Sequence, residues 1–200
     1  MARTHDPVLA ARRRDQILQA AAACFVRRGI HATSIRDILE EAKLSAGALY
    51  RYFDSKEAVI AGLAAREQAD VEALVSFLDS AASPGAALLE TACLIVRDSD
   101  AASARLNLEI AAEAVRNPAV EALFVPMERR LHQAIRDAVR RSRAQGEIAP
   151  AATDDDATIA EAVISAYEGV LGRMASGDPA ATASPEAVCR ALLQRFFVSA

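Results

Sequence analysis

The stretch Leu44–Lys56, LSAGALYRYFDSK, gathers side chains that can meet a polyanion. Arg51 stands between Tyr50 and Tyr52 in a chain that is only 4% aromatic, so the clustering is not compositional. An arginine fork can reach O6 and N7 of guanine in a major groove, a contact worth about 1–3 kcal/mol in discrimination. The same fork can instead meet a phosphate or pair with Asp54. A tyrosine hydroxyl beside a groove can donate to a phosphate. Tyr50 fits that use; Tyr52 fits it no better than packing in a core with its hydroxyl at the surface. Ala46 and Gly47 are small enough to let backbone approach a groove, and the Ala46 methyl can meet a thymine methyl.

These groups need a rigid support. Leu49 and Phe53, four residues apart, make the buried pair of a short helix that Ser45 can cap. Upstream, Thr33 or Ser34 opens another helix, with Asp37 three residues after Ser34 in a capping-box position. A helix N-terminus offers free N–H groups, so the hydroxyls and amides of Thr33 and Ser34 can grip a phosphate. Ile35, Ile38 and Leu39 face inward. A longer helix comes first, with Ile17, Leu18, Ala21 and Phe25 on one face and Gly29 placed to end it. Asp54 or Ser55 starts a fourth. Two short helices joined by a three- or four-residue turn, behind a longer one, form a helix-turn-helix pattern. Lys43 sits in that turn. Either it takes a left-handed backbone at a cost of about 1 kcal/mol, or the turn differs slightly.

Apolar residues recur at helical spacing throughout, and β-strand alternation is nowhere sustained, so the fold class is all-α. Beyond Gly62 the helices lengthen: about Lys56–Ser80, Gly85–Asp98, Ala104–Arg116, Pro118–Gln145, Asp156–Met174 and Pro185–Val198, some nine helices in all. The division expected is residues 1–62 and 63–200. The first 62 residues hold ten Lys/Arg against seven Asp/Glu, net +3; the whole chain is −4, so the remainder carries −7. A basic head on an acidic body suggests two jobs. No apolar run is long enough to span a bilayer. The start, MARTHDPVLAARRRD, lacks the apolar segment of a secretory signal. Cys24, Cys93 and Cys189 are widely spaced and suggest neither a disulfide framework nor a metal-ligand spacing. A reduced, cytoplasmic protein is the simplest expectation.

The run Arg12–Leu63 resembles the TetR family of one-component transcriptional regulators, through the spacing of Phe25, Gly29, Thr33/Ser34, Ile38, Leu49-Tyr50, Phe53, Ser55-Lys56 and Leu63. The resemblance implies that Tyr50, Arg51, Tyr52 and Lys56 touch DNA, with Lys56 as a phosphate anchor; Thr33, Ser34, Ser45, Ala46 and Gly47, nominated above, complete the expected DNA-binding set. Arg12, Arg13 and Arg14 then read as an arm for backbone or minor groove, or as a solvated charge run. Family members often carry a longer polar residue at position 46 and glycine at position 43; this chain departs at both.

The resemblance also implies a homodimer on a palindromic operator, most often repressing, and released by a small effector. The last two helices are the expected dimer surface, with Val163, Ala166, Val170 and Met174 on one and Val188, Leu192 and Phe196 on the other. Polar breaks in the central helices nominate Cys93, Arg97, Asn107, Glu109, Glu113, Met127, His132 and Tyr167 for an effector pocket, whose aliphatic surroundings suit an apolar or amphipathic ligand. The alternatives are a regulator without a ligand and an all-helical enzyme or carrier. Against the enzyme, no E-x-x-H pair and no nucleophile–base set is found. No cofactor is called for.

Overall fold

The computed structural model describes residues 7–150, 152, 154–177 and 184–198. Among them are nine helices: α1 Pro7–Arg28, α2 Ile35–Ala42, α3 Ala46–Tyr50, α4 Lys56–Ser80, α5 Pro84–Asp98, α6 Ala101–Ala114, α7 Pro118–Ala144, α8 Asp156–Ser176 and α9 Pro185–Leu193. The chain is all-α. It forms two compact units, the first Met1–Glu67 with Glu109–Phe124 and the second Gln68–Leu108 with Val125–Ala200. Residues 109–124 therefore join the first unit, although a cut in chain order at residue 62 leaves them out.

In the first unit Ile17, Leu18, Ala21 and Phe25 of α1 are buried with Ile38, Leu49 and Phe53. Gly29 ends α1 with φ +78°, a backbone that favours glycine, and its N–H donates to Phe25 O at 2.8 Å. Gly62 answers a different need: a Cβ there would lie 2.8 Å from the Phe53 ring and 2.9 Å from Leu18, so any side chain would have to displace them. Arg12, Arg13 and Arg14 are residues of α1 rather than a loose arm. The Arg14 guanidinium lies 4.5 Å from the centre of the Phe53 ring and donates to Tyr52 O at 3.1 Å.

In the second unit α5 packs on α9, and α8 on α9 and α5. Arg141 donates to Leu78 O and Asp79 O at 2.6 and 2.8 Å, covering carbonyls at the end of α4. The last helix is shorter than its apolar pattern suggested. It ends at Leu193, and the chain then turns to pair with the segment after α7: Ala149 N donates to Phe196 O and Val198 N to Glu147 O, both at 2.8 Å. Phe197 is buried beside Gly85, so it packs within its own chain.

That burial corrects the expected dimer stripe. Val163 and Val170 are 1% and 5% exposed and belong to the core of the second unit. Ala166, Met174, Val188 and Phe196 are half-buried, and Leu192 is exposed. Helical spacing finds a stripe on α8 but cannot say which of its two small, apolar sides faces in.

Candidate nucleic-acid interface

The turn before α3 is set by α2. Ser34 caps α2 with both halves of a capping box: its hydroxyl accepts from Asp37 N, and Asp37 Oδ2 accepts from Ser34 N at 2.8 Å. The hydrogen bonds from Ser34, with Arg28 alongside, hold the Asp37 carboxyl below the usual carboxylate range. At the other end of α2, Lys43 takes φ 53°, ψ 44°, so the left-handed reading of the turn is the one realised. Lys43 N donates to Glu40 O and Leu44 N to Leu39 O, closing the helix in a Schellman arrangement. Gln16 of α1 adds a hydrogen bond to Ala42 O at 2.8 Å.

The chain enters α3 at Ser45, which has the extended backbone of an N-cap (φ −78°, ψ 156°). Its carbonyl accepts from Ala48 and Leu49, but its hydroxyl makes no capping bond, contrary to the cap expected. That hydroxyl stays at the surface with Ala46 and Gly47. The regular helix is only Ala46–Tyr50; Arg51 and Tyr52 lie in the turn after it, held by Tyr52 N to Leu49 O at 2.8 Å and Phe53 N to Leu49 O at 3.0 Å. Leu49 and Phe53 are buried as expected. Tyr50 is 50% exposed, Arg51 is exposed and Tyr52 half-buried. Among the described residues the Arg51 guanidinium makes no ion pair with Asp54 and no hydrogen bond. Ser45, Ala46, Gly47, Tyr50 and Arg51 thus share a surface with unspent donors.

Thr33 does not. It is 2% exposed, and its hydroxyl donates to Gly29 O at 2.8 Å, so that group is spent inside the unit. Ser34 beside it is exposed. Lys56 is half-buried, and its ammonium donates to Ile30 O and Thr33 O at 3.0 and 3.2 Å. Two of its three protons therefore close the α1–α2 connection, and the third is left for another acceptor. Sequence reasoning missed Gln16 and Arg14 as supports of this surface. Nothing in their local pattern marks them, because their partners are backbone carbonyls distant in sequence.

The residues nominated for an effector divide between the units. Glu109 and Glu113 belong to the first. Glu109 Oε2 accepts from Ile30 N at 3.2 Å. Glu113, 7% exposed, accepts from Asn117 and Arg116, which hold its carboxyl below the usual range, Asn117 most strongly. Both are ties within the first unit, not pocket groups. In the second unit Cys93 and Arg97 line a groove of about 410 Å³ with Leu74, Phe77, Leu94 and Arg190. Tyr167 instead lines a small, partly open space of about 20 Å³ among α4, α5, α7 and α8, room for about one water. Burial raises the pKa of its hydroxyl. Asn107, Met127 and His132 line neither space. No described helix is long and apolar enough to cross a membrane.

Comparison with known proteins fits this geometry. Residues 17–63 match the family model described as bacterial regulatory proteins, tetR family. Residues 86–198 match the C-terminal domain of BetI-type transcriptional repressors. The HTH-type transcriptional regulator UidR of Escherichia coli K12 is 28% identical over 181 residues, 90% of each chain. The repressor KstR2 of Mycolicibacterium smegmatis is 46% identical over 54 residues, 27% of this chain and 26% of that one, so the match spans about a quarter of that relative. A Saccharomonospora viridis structure solved in complex with choline superposes with a TM-score of 0.77 at 20% identity, covering 94% of this chain and 100% of that one. With a DNA-facing helix-turn-helix and a matching C-terminal domain, the chain belongs to the TetR family of DNA-binding transcriptional regulators.

Proposed function

We propose that the protein is a repressor that binds a palindromic operator as a homodimer and leaves it when a small amphipathic molecule occupies the second unit. The observation that carries the DNA half is the exposed, unpaired Arg51 beside Tyr50 on a helix whose opening residues are bare. Arg51 is the base reader. Ser34, Ser45, Tyr50, Tyr52 and the remaining proton of Lys56 serve phosphates. A five-residue helix reads few bases, so specificity comes from two half-sites and from DNA shape.

The dimer face is the outer side of α8, where Ala162, Ala166, Gly169 and Gly172 permit close approach, together with Val188 and Leu192 of α9. The effector seat is the 410 Å³ groove, within the usual range for small-molecule sites. Phe77 and Leu94 give it an apolar wall, and Arg97, Glu90, Glu186 and Arg190 a charged rim, which suits an amphipathic ligand. A structure of this fold has been solved in complex with choline, which supports a small-molecule role for the fold. Binding in the groove releases DNA by favouring dimers whose heads are wrongly spaced, so ligand and operator oppose each other reciprocally.

The test is a footprint and gel shift on DNA upstream of the protein's own gene. A two-fold symmetric protected site is expected. Arg51→Ala should weaken that site about tenfold or more, and random DNA less. Equal loss on both would remove the base-reading role.

A further inference from the structure

We propose that Glu128, His132 and Glu168 form a binding site for a divalent transition-metal cation of the zinc class. All three belong to the second unit, and none of them lines the groove. Glu128 and His132 lie four residues apart on α7, hence on one face, and Glu168 comes from α8. The separation in sequence hides the set from any motif scan.

The geometry is that of a site rather than a hydrogen-bonded cluster. His132 Nε2 is 3.7 Å from Glu128 Oε2 and 3.6 Å from Glu168 Oε1. Both distances are too long for an N–H···O bond. They suit three donors sharing one ion: metal–ligand bonds of about 2.1 Å in a tetrahedron put neighbouring ligand atoms about 3.4 Å apart. One donor atom from each of the three residues falls within 4.8 Å of the others. His132 Nε2 is itself buried and has no hydrogen-bond partner, a state a folded protein seldom leaves uncompensated. The nitrogen thus lies within 4 Å of two carboxylate oxygens without a hydrogen bond to either.

Donor chemistry selects the ion. One imidazole nitrogen and two carboxylates suit zinc or its borderline neighbours; magnesium and calcium prefer all-oxygen sets. The side chains of Glu128 and Glu168 are 33% and 49% exposed, so an ion can enter from solvent, and three protein donors leave a position for water. A bound ion would tie α7 to α8.

The experiment is calorimetric titration of the untagged full chain with Zn²⁺ alone, under reducing conditions. The wild type should bind one ion per chain with a raised melting temperature. Glu168→Gln, a change at an exposed position, should bind at least tenfold more weakly and lose the thermal shift, as should His132→Ala if it folds. His31→Ala, in the other unit, should bind as the wild type does. With Co²⁺ as a spectroscopic probe, nitrogen and oxygen ligation should show no thiolate charge-transfer band. Absence of wild-type binding, binding that survives Glu168→Gln, or a thiolate band from Cys93 or Cys189 would each overturn the assignment. None of these readouts involves DNA, so the result stands apart from the operator test.

Discussion

Glu109 and Ile30, 79 positions apart in sequence, are joined by one hydrogen bond: Glu109 Oε2 accepts from the Ile30 backbone N–H at 3.2 Å. Ile30 is fully buried just past the end of α1, where its N–H has no helical partner. Removing the carboxylate leaves that donor without an acceptor, which costs about 1–3 kcal/mol. Glu109→Ala should lower the urea midpoint accordingly, while Glu109→Gln, which keeps an acceptor oxygen, should lie near the wild type. An alanine variant as stable as the wild type would show that the bond carries no weight.

Lys56 combines support with a proposed DNA contact. Its loss strips a donor from Ile30 O and Thr33 O. Lys56→Ala should lower thermal stability and also reduce the slope of log affinity against log salt by about one. A destabilised variant with an unchanged slope would leave Lys56 as a support only.

At Lys43 the left-handed backbone costs an L-residue about 1–2 kcal/mol, partly offset in glycine by the greater entropy it loses on folding. Lys43→Gly should therefore gain about 0.5–1 kcal/mol, seen as a higher urea midpoint at constant slope.

The Asp37 carboxyl is held below its unfolded-state pKa by Ser34 first and Arg28 further down. Such a group contributes stability above the ordinary carboxylate range and loses it as pH falls through the folded value. Asp37→Asn should be less stable than the wild type at neutral pH, and the difference should close as the pH drops through about 4 and below. A gap constant from pH 7 to 3 would mean that the charge plays no part.

Gly169 offers a direct test of the dimer face. A Cβ there would meet nothing within 4 Å in its own chain, so a larger side chain is tolerated by the fold. In a helix interior leucine is even preferred, by about 1 kcal/mol. Gly169→Leu should keep its helicity, yet run as a monomer in light scattering. Retention of the dimer would place the interface elsewhere.

Local signals were legible in the sequence. Gly29, the Ser34–Asp37 box and the Leu49–Phe53 pair each sit where their chemistry says, because caps and i,i+4 pairs depend on neighbours within one turn. The outward residues of α3 followed from the inward ones. What failed was long-range. Thr33 and Lys56 are drawn to carbonyls of the α1–α2 connection, which no periodicity reveals. Glu109 and Glu113 read as polar breaks in an apolar face, and are ties. On α8 small residues cover both sides, so hydrophobic spacing could not separate core from surface. Helix α9 stops early because the tail after it finds backbone partners at Glu147 and Ala149.

The short helix α3 is held from behind. Leu49 and Phe53 anchor it, Arg14 clasps the turn that follows, and Gly62 clears space for the ring, while residues 45, 46, 47, 50 and 51 are exposed. The residues proposed to read DNA and those that hold the fold are therefore separate letters of the same segment. A library randomised at Ala46, Gly47 and Arg51 should return mostly folded proteins, and mutation can retarget such a regulator to a new operator without passing through an unfolded ancestor.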